Sequence, residues 1–291
     1  MVFFSVSGFL VTQSWLSDCN ALNFATRRFL RIWPALTVVV ILTVFALGPT
    51  TTNIPISDYF AHPATWYYFR ILVMQIHFPL PGVFDHNFFS DSVNGSLWTI
   101  PFEVRCYLVM GLIGFLGLLR NKWWGIAWCL LFLTWYFSKG LPDQAGKYTP
   151  GREFSAHFVV GVLLCCCKKW WIPHSKLLIL AASILGLLLF VNEFHYLAIL
   201  VITPILSIGI GIHSTPVISR FGRFGDPSFG IYLYAFPVQQ TLIYAFPDLN
   251  FYVSMVVAAM ITITLAYTSW QWIEKPALRL KPRKPLAPTL P

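Results

Sequence analysis

Charged side chains inside apolar runs are the first candidates for chemistry, because each costs about 3 kcal/mol or more unless it is paired or faces a cavity. The run TIPFEVRCYLVMG holds two, Glu103 and Arg105. Two apart on a helix, they project from different faces, which argues against a mutual ion pair. Either each lines a polar cavity or meets another helix, or both sit near the interface and reach water. In FATRRFLRIWPAL, Arg28 and Arg31 are three apart and share one helical face. Two guanidinium groups in that register suit a phosphate or pyrophosphate, although arginines also anchor the cytoplasmic end of a span. In VFFSVSGFLVTQSW, Ser5, Ser7 and Gly8 are small residues that let helices approach closely. A nucleophilic Ser7 would need an adjacent base, and none lies nearby in the sequence. Of the histidines, only His157, in REFSAHFVVG, clearly enters an apolar run, as a base or as a boundary residue.

The elements that carry these residues follow from composition. The 291 residues are 57% hydrophobic and 11% charged, against about 25% charged in a soluble domain. The apolar residues come in blocks, which predicts an all-α, polytopic transmembrane helix bundle. Nine spans are expected, at about 1–16, 30–48, 97–119, 122–138, 153–167, 177–192, 195–212, 228–246 and 251–273. The segment 66–80 is short and bounded by prolines, and reads as an interfacial or re-entrant piece of the long loop 49–96.

Charge supports this count. Fifteen Lys and Arg fall in one alternating set of breaks: Arg27, Arg28, Arg31; Arg120, Lys122; Lys168, Lys169, Lys176; Arg220, Arg223; and Lys275, Arg279, Lys281, Arg283, Lys284. The other set holds four, Arg70, Lys139, Lys147 and Arg152. The positive-inside rule then places the C-terminus in the cytoplasm. Residues 1–275 read as the membrane domain and 276–291 as a basic, Pro-rich cytoplasmic tail. The net charge of +9 is topological; a nucleic-acid binder would gather it into one stripe. No cysteine stands in CxxC spacing, and no His/Cys/carboxylate pattern suits a metal.

Five stretches together resemble the acyltransferase-3 family. VFFSVSGF followed by RRFLRIWP is similar to its FF-x-x-SGF and R-x-x-R stretches. NGSLWTIPFEVRCY resembles its N-x-SLW-(T/S)-(I/L)-x-x-E segment, FGDPSFGIYLYAFPVQQ its late-helix IYL block, and WIEKPALRL its terminal Trp-x-x-(I/L)-E-(K/R)-P signature. They fall in family order across about residues 2–280.

The resemblance implies a ten-helix enzyme of the bacterial inner membrane, moving an acyl group, usually acetyl, from cytoplasmic acetyl-CoA or another acyl-CoA to a hydroxyl of a surface or periplasmic carbohydrate. It implies catalytic positions at Glu103 and Arg105, and substrate-binding positions at Arg28, Arg31, Ser7, Asn94, Trp98 and Tyr107. Glu274 and Lys275 match the terminal signature, with a role at the site or at the membrane boundary. Lipid, an acyl-CoA donor and a carbohydrate acceptor are the implied partners. The family's proposed catalytic histidine lies on a first helix just before FF-x-x-SGF. This sequence opens at that stretch, so the chain as written is expected to lack that helix and to be inactive. A transporter or flippase, or a non-catalytic membrane remnant, is the alternative.

Overall fold

Among the described residues, nine apolar runs fold as nine long helices: α1 Val2–Leu16, α2 Ala21–Leu42, α3 Ile100–Phe115, α4 Lys122–Ser138, α5 Pro150–Cys166, α6 Ser175–Val191, α7 His195–Ile212, α8 Ser228–Ala245 and α9 Phe251–Ser269. This computed structural model describes residues 1–90, 92–141, 149–213 and 225–282. Among the described residues, five helical stretches are long and apolar enough to cross a membrane: Ala21–Thr51, Gly95–Phe115, Lys168–Val191, His195–Ile212 and Phe251–Arg279. Their outer faces carry Phe115, Val191 and Phe251 at 71–73% exposure, which hydrocarbon solvates and water does not. The chain is an all-α, multi-pass membrane protein.

Each expected span has its helix, with two boundaries moved. The second starts at Ala21 rather than near 30, so Arg27, Arg28 and Arg31 lie within the helix instead of at its mouth. The third follows a 3-10 turn, Gly95–Thr99, and stops at Phe115 rather than 119. Gly117, at φ +76°, takes the left-handed conformation that ends it. Of the expected cytoplasmic tail, residues 276–279 continue the short helix Lys275–Arg279. Arg220, Arg223, Lys147, Arg283 and Lys284 lie outside the described residues.

The backbone divides into two compact units. Among the described residues, the first contains 1–25, 102–141 and 149–213, and the second 26–90, 92–101 and 225–282. In the first, small residues set the packing of α1 on α5. A Cβ on Gly8 would lie 2.0 Å from the Phe158 carbonyl oxygen, and one on Gly161 would lie 2.1 Å from that of Ser5. Phe4 stacks on Phe154 with ring centroids 4.4 Å apart. Close backbone approach is how membrane helices gain packing energy where lipid competes for apolar contact.

In the second unit, α2 passes into a π-helical turn, Thr43–Leu47. The Tyr59 hydroxyl donates to the Val44 carbonyl at 3.0 Å, and Gly48 makes room for it, since a Cβ there would sit 2.0 Å from that hydroxyl. The loop 49–96 has its own core, with Tyr59, Tyr68 and Phe84 wholly buried. Its expected re-entrant piece is a short helix, Pro63–Tyr67, and a 3-10 turn, Tyr68–Val73, ended by Met74 at φ +64°.

Candidate active site

Glu103 begins the polar arrangement of the first unit. It lies near the start of α3, 5% exposed, with Tyr107 one turn later on the same face, 7% exposed. The Tyr107 hydroxyl donates to Glu103 Oε1. Ser7 Oγ, from α1, donates to the Tyr107 oxygen at 3.3 Å. The three side chains thus form a buried line of hydroxyls ending on a carboxylate, Ser7 to Tyr107 to Glu103. A carboxylate thus stands one hydroxyl away from Ser7, contributed by a helix distant in sequence.

Arg105 projects away from Glu103, as its spacing predicts. Two residues on from Glu103, it turns through about 200° of helix and projects, exposed, from another face. Its guanidinium lies over the Phe102 ring at 5.7 Å. His157 is fully buried. Its Nδ1 proton is given to the Glu153 carbonyl at 2.9 Å, and Glu153 is held by Tyr136 at 2.5 Å and by Arg152 at 3.0 Å. The histidine sits inside the packing of α5, its ring 6.3 Å from that of Tyr196.

The second unit carries the arginines. Arg31 donates to Asp226 Oδ2 at 2.9 Å, and its guanidinium lies 6.0 Å over the Phe229 ring. Asp226 also receives the Ser228 hydroxyl at 2.5 Å. Burial would raise the Asp226 carboxyl, but the Ser228 hydrogen bonds and the Arg31 charge outweigh it and hold the group below the usual carboxylate range. Gly225, at φ +100°, shapes this turn, and a Cβ on it would meet Trp270 Nε1 at 2.0 Å. Trp270–Glu274 is a second π-helical turn. It brings Glu274, 2% exposed, to where its charge is felt together with those of Arg31 and Asp226. Ser269 Oγ donates to Glu274 Oε1 at 3.4 Å. Arg27 is buried and Arg28 half-buried beside this group. The R-x-x-R, GDPS and WIEKP stretches therefore meet in one place.

Asn94 and Trp98 take different positions. Asn94 is fully buried, and its Nδ2 donates to the Leu233 carbonyl of α8 at 2.9 Å. Trp98 is 37% exposed. The same part of the loop is tied to α8 by Gln240, whose Nε2 donates to the carbonyls of Phe89 at 2.7 Å and Ser92 at 2.8 Å. Asp226 and Gln240 were not singled out from the sequence. The signals were present, an acid just ahead of a span and an amide within one, but their partners are 195 and about 150 residues away.

The family model described as an acyltransferase domain matches residues 1–270. The chain belongs to this acyltransferase family. It is 28% identical over 296 residues to an O-acetyl transferase of Shigella phage Sf6, covering 94% of this chain and 83% of that protein. It is also 28% identical over 308 residues to Nodulation protein 10 of Rhizobium leguminosarum bv. viciae, covering 96% of this chain and 82% of that one. No solved structure matches the chain. As an acyltransferase it needs a place for an acyl donor and a way to take a proton from the group that is acylated. The cationic group around Arg31 has the chemistry of the first, and the carboxylate-ended line at Glu103 that of the second.

Proposed function

We propose that this protein is an O-acyltransferase of the bacterial inner membrane. It moves an acyl group, in the first instance acetyl, from a cytoplasmic acyl-CoA donor to a hydroxyl of a surface or periplasmic carbohydrate. The observation that carries the reading is the buried Ser7–Tyr107–Glu103 line within a membrane acyltransferase. An apolar bundle gains nothing in packing from an ionisable group there, and such groups mark functional sites. The name of the Sf6 relative, an O-acetyl transferase, supports oxygen as the acceptor atom and acetyl as the group moved.

In the reaction, the acceptor oxygen attacks the thioester carbonyl carbon, a C–O bond forms, and the C–S bond breaks. The hydroxyl proton passes to the protein, which returns one to the departing thiolate, so the thiol leaves protonated and the carboxylate is restored. Glu103 acts through Tyr107 as the sink for that proton, and Ser7 orients the line. Arg28 and Arg31 hold the phosphates of the donor, with Asp226 keeping Arg31 in place between turnovers. Asn94 and Trp98 belong to the outer, acceptor-facing side: Asn94 by fixing the loop to α8, Trp98 by the aromatic surface it presents. The asymmetry of fifteen basic residues against four supports a cytoplasmic C-terminus. Residues 1–275 form the catalytic domain, and the basic residues after it face the cytoplasm.

The test is transfer of labelled acetyl from acetyl-CoA, supplied on the cytoplasmic side of vesicles, to a saccharide acceptor. The expected result is a base-labile ester on the saccharide that is lost in Arg28→Ala and in Arg31→Ala. Wild-type transfer in both variants would contradict the donor role of the arginines.

A further inference from the structure

Beside the basic end of α5 lies a cavity of about 480 Å³, within the roughly 300–1,000 Å³ typical of ligand sites. Its walls belong to the first unit. Phe9 and Gln13 come from α1, Lys168 and Lys169 from the short helix Lys168–Trp171, Ile172 from the turn after it, and Ile212 from the end of α7. The chemistry of the cavity is divided. Phe9 is buried and Ile172 and Ile212 are half-buried, which makes an apolar floor. Gln13 and Lys169 are exposed and Lys168 is half-buried, which makes a polar mouth. Among the described residues, neither lysine has a carboxylate partner.

Aromatic side chains mark the depth of that mouth. Trp170, next to Lys169, is more than half exposed, as are Trp123 and Trp124 at the start of α4. The Trp123 and Trp170 ring centroids are 5.5 Å apart, and the Lys122 ammonium stands 5.1 Å over the first ring and 4.8 Å over the second. Exposed tryptophans beside lysines collect at the lipid–water boundary. The two lysines of the mouth therefore sit at headgroup level, with the apolar floor at the level of the lipid chains. Trp171 points the other way and pins the short helix, its Nε1 donating to the Leu164 carbonyl at 2.8 Å and its ring 6.5 Å from that of Phe9.

A lysine that only anchors a span end needs water and no cavity. Lys176, exposed in the first turn of α6 and outside the cavity wall, is of that kind. Lys168 and Lys169 instead share a cavity with an apolar floor. An anion that carries a hydrocarbon chain satisfies both halves, because phosphate oxygens accept from ammonium groups and the chain covers apolar surface. Basic pockets between helices recognise anionic headgroups in this way. We infer that the cavity binds one anionic phospholipid, with its phosphate on Lys168 and Lys169 and an acyl chain over Phe9, Ile172 and Ile212. No residue of the arginine group takes part, so the site stands or falls apart from the donor reading.

The experiment is native mass spectrometry of the full chain in detergent, titrated with phosphatidylglycerol or with phosphatidylcholine of the same chains. Phosphatidylglycerol is expected to bind the wild type more than tenfold more tightly. Lys168→Gln and Lys169→Gln should each weaken it by about fivefold and leave phosphatidylcholine unchanged, while Lys176→Gln binds as the wild type does. Ile212→Trp, which fills the floor, should weaken both lipids with the lysines intact. Free coenzyme A should not displace phosphatidylglycerol. Wild-type phosphatidylglycerol binding in both lysine variants would overturn the inference, and so would an equal loss in Lys176→Gln, which would make the attraction a diffuse one. Displacement by coenzyme A that disappears in the Lys168→Gln/Lys169→Gln double variant would give the lysines to a soluble phosphate and overturn the lipid assignment.

Discussion

The Asn94 side-chain amide donates to the Leu233 carbonyl at 2.9 Å, and Leu233 stands four residues before Pro237 in α8. Proline has no N–H, so the carbonyl four residues earlier loses its helix partner. At membrane depth such a carbonyl must find another donor, and Asn94 supplies one. Gly95 follows directly, and a Cβ on it would lie 2.9 Å from the Phe236 ring, so the loop backbone is seated against the proline turn. The N-x-SLW stretch and the late-helix stretch are in this way two halves of one joint.

Asn94→Ala is therefore expected to destabilise the protein by about 1–3 kcal/mol, the cost of a buried carbonyl left without a donor. Adding Pro237→Ala restores an N–H at the helix position, so the double variant should recover part of the loss. Thermal unfolding in one detergent, run as a double-mutant cycle, checks this. Simple addition of the two losses would mean that Asn94 acts by some other contact.

The packing of α1 on α5 makes a second prediction, with opposite signs at two glycines. Gly8→Ala places a Cβ against the Phe158 backbone, which cannot rotate away, and should cost about 1–3 kcal/mol. Gly211, in α7, has open space around its Cβ position, and Gly211→Ala should stabilise by up to about 1 kcal/mol through helix propensity. Melting temperatures of the two variants in one detergent give the comparison. Equal effects would remove the close approach as the cause.

For the Ser7–Tyr107–Glu103 line, Tyr107→Phe and Glu103→Gln should each lower turnover by about a hundredfold, with little change in donor KM. Because the two groups act as one device, the double variant should be no slower than either single one. Losses that multiply would show two independent roles. Arg105→Ala, on the exposed face, should keep most of the wild-type turnover.

Asp226 gives the arginine site a pH dependence. Its native pKa lies below the usual value, about 3.9 for an unfolded aspartate. Its contribution to stability is therefore fully present above that value, and is lost as pH falls through the lower native one. The melting-temperature gap between wild type and Asp226→Asn should be widest above about pH 4 and close on further acidification. A gap that widens on acidification would reverse the assigned sign. Asp226 is about half-exposed, so the gap should also shrink in high salt.

The bundle was legible in the sequence because hydrocarbon leaves few choices: long apolar blocks, with basic residues collected in alternate breaks, predict the nine long helices found among the described residues. The shared face of Arg28 and Arg31 also follows from helical periodicity, whereas the one-turn pairing of Glu103 with Tyr107 was not drawn from it. What could not be read is tertiary. Asp226 meets Arg31, and Asn94 meets Leu233, across more than 130 residues. That Arg105 projects from a different face than Glu103 was legible from their spacing, but the ring of Phe102 beneath its guanidinium was not. The loop 49–96 carried no periodic signal, because its core of Tyr59, Tyr68 and Phe84 is built from contacts distant in sequence and from a π-helical turn in α2's continuation.

The most direct measurement of the central claim is the ester content of the surface saccharide in cells that carry the wild-type protein or Glu103→Gln, made to equal levels in the membrane. The expected result is base-labile O-acyl groups in the first and their near absence in the second, with Arg105→Ala resembling wild type. Equal ester content with wild type and Glu103→Gln would contradict an acyl transfer that runs through Glu103.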